Sequence, residues 1–254
     1  MRAVAKVRLL AVAGIALIAS CGSGSSATTD SSSGAPTTIG TTTSSTPPDT
    51  GSTTDNSDTT RSHKFTAEVW ADNWFSLYVN GQMVGEDSIP ITTERSFNAE
   101  TISFDAAYPL NVAIISKDYI ENETGLEYIG LPNQQMGDGG FIAQITDTTT
   151  GEVVLVTSSA WRGLVIQTAP LNTQCEKSAD PLADCQYEQL DEPTGWQSAE
   201  FDASGWMTAT EYTPAEVGTK DGYDTIEWDP SAHLIWSDDL KTQNTILWRA
   251  PVVE

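Results

Sequence analysis

Ala71-Asp72-Asn73-Trp74-Phe75-Ser76-Leu77-Tyr78-Val79-Asn80-Gly81-Gln82 is the stretch whose pattern decides the fold class. Phe75, Leu77 and Val79 alternate with Ser76 and Tyr78. That two-residue period belongs to a strand with one face buried. Asn80-Gly81 follows, the dipeptide that tolerates positive φ at both central positions of a tight hairpin turn. Met83-Val84 is therefore expected to pair back. Upstream, Phe65, Ala67, Val69 and Ala71 alternate with Thr66, Glu68 and Trp70, so a second strand precedes the first and Asp72-Asn73 joins them.

Working outward, the same reading marks strands at Thr101 to Phe104, Leu110 to Ser116, Phe141 to Thr146, Val153 to Thr157, Trp161 to Gln167 and Leu247 to Val253. Thr148-Thr149-Thr150-Gly151 supplies a second hairpin turn. No long apolar stripe of helical period is present. Many short strands separated by turn residues predict an all-β fold, an antiparallel β-sandwich. The folded region is residues 63–254, 192 residues that contain all eight tryptophans. That is enough chain for a full core.

Several segments resemble galactose-binding-like β-sandwich domains, a jelly-roll family. The Asp72 to Gln82 stretch is similar to the family's strand–turn–strand signature. Leu110-Asn111-Val112-Ala113-Ile114 resembles the strand that follows, and Ser158-Ser159-Ala160-Trp161-Arg162 its small-polar, Trp, basic segment. Phe201-Asp202-Ala203-Ser204-Gly205-Trp206 is similar to its Phe-Asp-Asp-Ser-x-Trp element. Ile235-Trp236-Ser237 and Asn244 to Arg249 look like its returning strand. The resemblance implies a non-catalytic jelly roll that binds sugars at one rim in some members. The Pro170 to Thr194 insertion is longer than the family's usual link.

Trp74 lies beside the turn, flanked by Asp72 and Asn73. An aromatic face beside a carboxylate and an amide is what a sugar site needs, so these three are the candidate ligand-binding residues. Trp74 tucked against the sandwich edge is the structural alternative. Trp206 and Trp248 read as core fillers. A second candidate is a calcium site built from Asp118, Glu121 and Glu123 in the Lys117 to Tyr128 loop, with Asp138 of Met136-Gly137-Asp138-Gly139-Gly140. The spacing matches no EF-hand, and a solvated acidic loop has the same composition.

Cys175 and Cys185, ten apart in a loop-like stretch, are expected to form a disulfide if the chain is exported. Export is what the amino terminus implies. Arg2, Lys6 and Arg8 precede an apolar run from Leu9 to Leu17, and Ile18-Ala19-Ser20-Cys21 follows. This resembles a bacterial lipoprotein signal, cut before Cys21, whose sulfur takes the lipid. A plain secretory signal with a nearby cysteine is the alternative. Gly22, where inner-membrane retention uses Asp, favours the outer membrane and the cell surface. Between the cysteine and the folded region, 24 of the 41 residues from 22 to 62 are Ser or Thr. Such a segment buries too little to order itself and reads as a disordered linker, spacing the domain on the order of 35 Å from the lipid.

The chain carries 12 basic and 35 acidic residues, net −23, and loss of three signal cations takes the mature form to −26. That disfavours nucleic acid and anionic lipid surfaces as partners. Enzyme motifs are missing: only His63 and His233 are available, and no nucleophile elbow, zinc-protease helix or phosphate loop occurs in the folded region. A two-carboxylate glycosidase has no sequence motif, though the domain is small for one. The expectation is a lipid-anchored surface module without catalytic activity that binds glycan or another extracellular ligand. A structural or adhesive protein working by protein contacts is the alternative, and a small polysaccharide hydrolase ranks third.

Overall fold

The computed structural model describes residues 61–91 and 98–254. The expected export signal, Cys21 and the expected Ser/Thr-rich linker through residue 60 lie outside the described residues. In chain order the strands are β1 (His63–Asp72), β2 (Trp74–Val79), β3 (Gln82–Glu86), β4 (Ala99–Ala106), β5 (Val112–Lys117), β6 (Leu126–Glu127), β7 (Gln135–Met136) and β8 (Gly140–Asp147). They continue with β9 (Glu152–Val156), β10 (Arg162–Thr168), β11 (Glu188–Gln189), β12 (Met207–Thr208), β13 (Thr210–Tyr212), β14 (Leu234–Trp236) and β15 (Gln243–Arg249). Two one-turn helices, α1 (Pro181–Asp184) and α2 (Pro214–Val217), interrupt the later loops.

Two antiparallel sheets form a sandwich. The first runs β13-β14-β8-β1-β4 with β9 beside β8, and the second β11-β10-β15-β5-β2-β3 with β12 beside β10. The chain crosses between them at a single residue, Asn73, after a cis Asp72–Asn73 peptide bond. The β2–β3 turn is built as its sequence dictates, with Asn80 at φ 50° and Gly81 at φ 78°.

Alternation explains the core. Phe65, Ala67, Val69 and Ala71 of β1 face Phe75, Leu77 and Val79 of β2 across the sandwich, joined by Phe141, Trp161, Trp236 and Trp248. Each large indole also finds a hydrogen-bond acceptor, as burial requires. Trp248 Nε1 donates to Ser116 Oγ at 2.9 Å, Trp161 Nε1 to the Val156 carbonyl at 2.8 Å, and Trp236 Nε1 to the Gln243 carbonyl at 2.8 Å. Trp248 is therefore a core filler, whereas Trp206 is half-buried against the outer face of the second sheet.

Both sheets also carry apolar residues on their outer faces, and loops cover them. On the first, Trp70 and Ile142 pack under Val217, Tyr223 and Trp228. Thr213 and Glu216 form a reciprocal capping box that starts α2 and so positions Val217. On the second, the excursion after β10 folds back over the strands. The expected bridge closes it: Cys175 and Cys185 are disulfide-bonded.

Candidate functional site

Strand register sets the outer face of the second sheet. Gln189 pairs with Gln167, Gln167 with Thr245, Thr245 with Lys117, and Lys117 with Trp74. Residues in register on antiparallel neighbours point to the same side. These five therefore form one row across β11, β10, β15, β5 and β2. A bulge at Ile166 keeps Gln167 in that row, because the ladder steps from Val165 directly to Gln167. The next row is apolar at its centre: Leu164, Leu247 and Ile115, flanked by Ser76.

The excursion covers that apolar row; in the polar row Gln189 is exposed, Lys117 and Trp74 are half-buried, and Gln167 and Thr245 are buried. Trp196 is buried there, edge-on to Tyr78 at 5.6 Å and packed against Ala113, Ile115 and Leu247. The Arg249 guanidinium holds the segment down, donating from Nη1 to the carbonyls of Trp196 at 2.7 Å and Ser198 at 2.6 Å. Beside it remains a cavity of about 290 Å³, walled by Ile115 and Ile166 and edged by Lys117, Thr245, Gln189 and Glu192. Glu192 accepts from Trp196 Nε1 at 2.9 Å, which orients that wall. Lys117 Nζ stands 5.0 Å from the Trp74 ring centroid, a cation–π arrangement. Gln167 is 2% exposed, and neither atom of its amide has a protein partner.

The three expected sugar-binding neighbours are separated by the fold. Trp74 faces outward in the polar row, half-buried. Asp72 and Asn73 are buried behind it. Asn73 is committed to the backbone: its N–H donates to the Lys117 carbonyl at 2.8 Å and its Oδ1 accepts from the Tyr119 N–H. The expectation that all three flank one ligand is corrected by this sheet-to-sheet crossing.

Asp72 instead joins a carboxylate group with the buried Asp118 and Glu127 and the partly exposed Asp138. Lys220 Nζ reaches Asp72 Oδ2 at 3.4 Å and Asp138 Oδ1 at 3.6 Å. Burial, opposed by Lys220, pushes the Asp72 carboxyl up to about 7. Asp118 is pushed well up, first by complete burial and then by Asp72, Glu127 and Asp138. Both Asp118 oxygens lack a hydrogen-bond partner, and the neighbouring Tyr119 N–H is engaged by Asn73. Asp138 is also raised, by burial, against the pull of Lys220.

The expected calcium ligands do not assemble. Asp118 and Asp138 are neighbours, but Glu121 and Glu123 are exposed and are not among the charges acting on Asp118. Among the described residues, no three His, Cys, Asp or Glu groups are placed to hold a metal ion. Downstream of that loop, Gln134 ties its own segment to the excursion, its Nε2 donating to the carbonyls of Glu176 at 2.7 Å and Ser178 at 2.9 Å. Lys117, Thr245, Gln167 and Gln189 escape sequence reasoning because only long-range pairing brings them together. A scan against protein-family models finds no match to the chain, and searches of curated proteins and of solved structures find none either.

Proposed function

We propose that the protein is an exported, lipid-anchored surface module of galactose-binding-like jelly-roll type that binds glycan without turning it over. The observation that carries this reading is a cavity that sets polar side chains beside an apolar wall. Isoleucine side chains suit the C–H faces of a sugar ring, and Lys117, Thr245 and Gln189 suit its hydroxyls. Trp74 extends the row beneath Lys117. The site therefore lies on a sheet face, at a different place from the Asp72–Asn73 turn. Of the carboxylates with raised pKa values, Asp72 is 1% exposed and lies outside this cavity, whereas Asp118, buried to the same degree, is among the residues that line it.

The test is a glycan array followed by calorimetry on the soluble full-length chain carrying Cys21→Ser. Gln189→Ala and Lys117→Ala are expected to weaken any array hit about tenfold, the scale of one or two lost polar contacts. Melting temperature serves as the control for folding. Silence on every glycan, with the fold intact, overturns the proposal.

One observation favours the adhesive alternative. Leu171, Leu182, Tyr187 and Leu190 are all exposed on the disulfide-bonded excursion, and a grouping of exposed apolar residues is a feature of protein contacts. Crosslinking on intact cells, comparing wild type with Leu182→Ser, separates the two readings.

A further inference from the structure

Arg162 of β10 and Arg249 of β15 stand directly opposite one another in register. Like charges in that position repel across about 5 Å. Such a pair is ordinarily offset by a carboxylate, and the chain has nearly three acidic residues for every basic one. None is supplied here. Neither arginine forms an ion pair among the described residues. Two of the three described arginines nonetheless meet at this spot.

Arg249 is 7% exposed, and burial lowers its pKa, with no acidic neighbour acting to raise it. Its Nη1 serves the Trp196 and Ser198 carbonyls, which are neutral. A guanidinium has five N–H donors in a planar fork, so those two bonds leave part of it uncommitted. Both arginines line a cavity of about 300 Å³, along with Phe201, Ser204, Asn111 and Pro251. No carboxylate lines it. Glu200 and Asp202 flank Phe201 in sequence and are not among the lining residues, and Asp202 Oδ1 accepts from the N–H of the lining Ser204 at 2.9 Å.

We propose that this cavity is a second binding site, selective for a small ligand that carries an oxyanion on an organic body, such as an acidic or phosphorylated sugar. The oxyanion sits between the two guanidinium groups, where it relieves their repulsion and accepts paired hydrogen bonds. The body of the ligand lies against Phe201 and Pro251. The site is about four residues further along β15 than the polar row, roughly 13 Å at strand rise, with the Trp196 segment between them. It does not depend on the glycan reading.

The experiment is a titration of the soluble full-length Cys21→Ser chain with glucuronate, glucose 6-phosphate, inorganic phosphate and neutral glucose. It is read by calorimetry and by arginine Nε–H NMR shifts at low salt. The expected result is that both anionic sugars shift the arginine signals, that glucose does not, and that affinity falls as salt rises. The tighter of the two anionic sugars identifies the head group. Saturation by inorganic phosphate alone at equal affinity shows that the organic body contributes nothing and overturns the selectivity claim. Arg162 is exposed, so Arg162→Gln should leave melting temperature unchanged while weakening binding about tenfold, as expected for loss of a charged donor pair. Arg162→Lys should recover part of that loss. Lys241→Gln, an equal charge change elsewhere, should have no effect. No shift with any anion, or equal losses in the Arg162 and Lys241 variants, overturns the proposal.

Discussion

Gly137 has room for a hydrogen and nothing larger. A Cβ built there would collide with the Asp118 carboxyl, which is buried and would have to shift. Gly137→Ala is expected to cost about 2 kcal/mol through overpacking, measured by urea unfolding. Gly205→Ala is the contrast, since nothing lies within 4 Å of that Cβ, and it should be neutral or slightly stabilising. Equal effects at both positions would remove the packing argument. Asp72 adds a pH dependence. Its folded pKa of about 7 lies above the ordinary 3.8, so between those values the folded chain holds a proton that the unfolded chain has lost. Stability therefore falls as pH rises through that window, and Asp118 pushes in the same direction. Asp72→Asn cannot ionise. It is expected to lose less stability than wild type between pH 5 and pH 8, the difference being on the order of a few kcal/mol. Parallel stability curves for the two proteins would sink the assignment. At this scale the sequence was only partly legible. Asp72, Asn73 and Trp74 look like one cluster because they are adjacent, but the chain changes sheets at Asn73, and adjacency there separates side chains.

Elements were more legible than residues, because a strand's period is local and its partner is not. The alternations at Phe65 to Ala71 and Phe75 to Val79 mark β1 and β2 correctly, and Asn80-Gly81 fixes the β2–β3 register with Val79 opposite Gln82. The last strand is displaced from its expected place at Leu247 to Val253. Its ladder runs from Gln243 to Arg249, and Pro251, which has no N–H to donate, ends regular pairing before Val253 bridges to Leu110. The two- and three-residue strands β6, β7 and β11 to β14 are too short to show any period. The Cys175–Cys185 bridge acts on its own element. Replacing both cysteines by Ser reopens a ten-residue separation and should cost about 3 kcal/mol by loop closure. The sandwich core should persist, because its tryptophans and strands lie outside the bridged segment. Hydrogen exchange should show new protection loss confined to residues 170–194. Loss spread through β1 and β5 would mean that the excursion is a pillar of the fold rather than an addition to it.

For the molecule as a whole, charge and the proposed anchor oppose each other. A chain cut before Cys21 would carry a net charge of −26, which an anionic membrane surface repels. Under the proposed lipid anchor, attachment would rest on acyl chains at Cys21, whose contribution is about 0.8 kcal/mol per buried CH₂ and is insensitive to salt. Two outcomes follow for cells expressing the protein. Wild type should stay in the membrane fraction through high-salt and alkaline washes and enter the detergent phase on extraction. Cys21→Ser should appear in the aqueous fraction, with its disulfide formed and its melting curve unchanged, because the described strands do not include that residue. The pairing of the two measurements matters. A soluble variant that is also unfolded would report a folding defect and not a lost anchor, so the melting curve decides which. A folded Cys21→Ser protein that remains membrane-bound after salt washing would show that some other part of the chain holds it, and the surface-tether reading would fall.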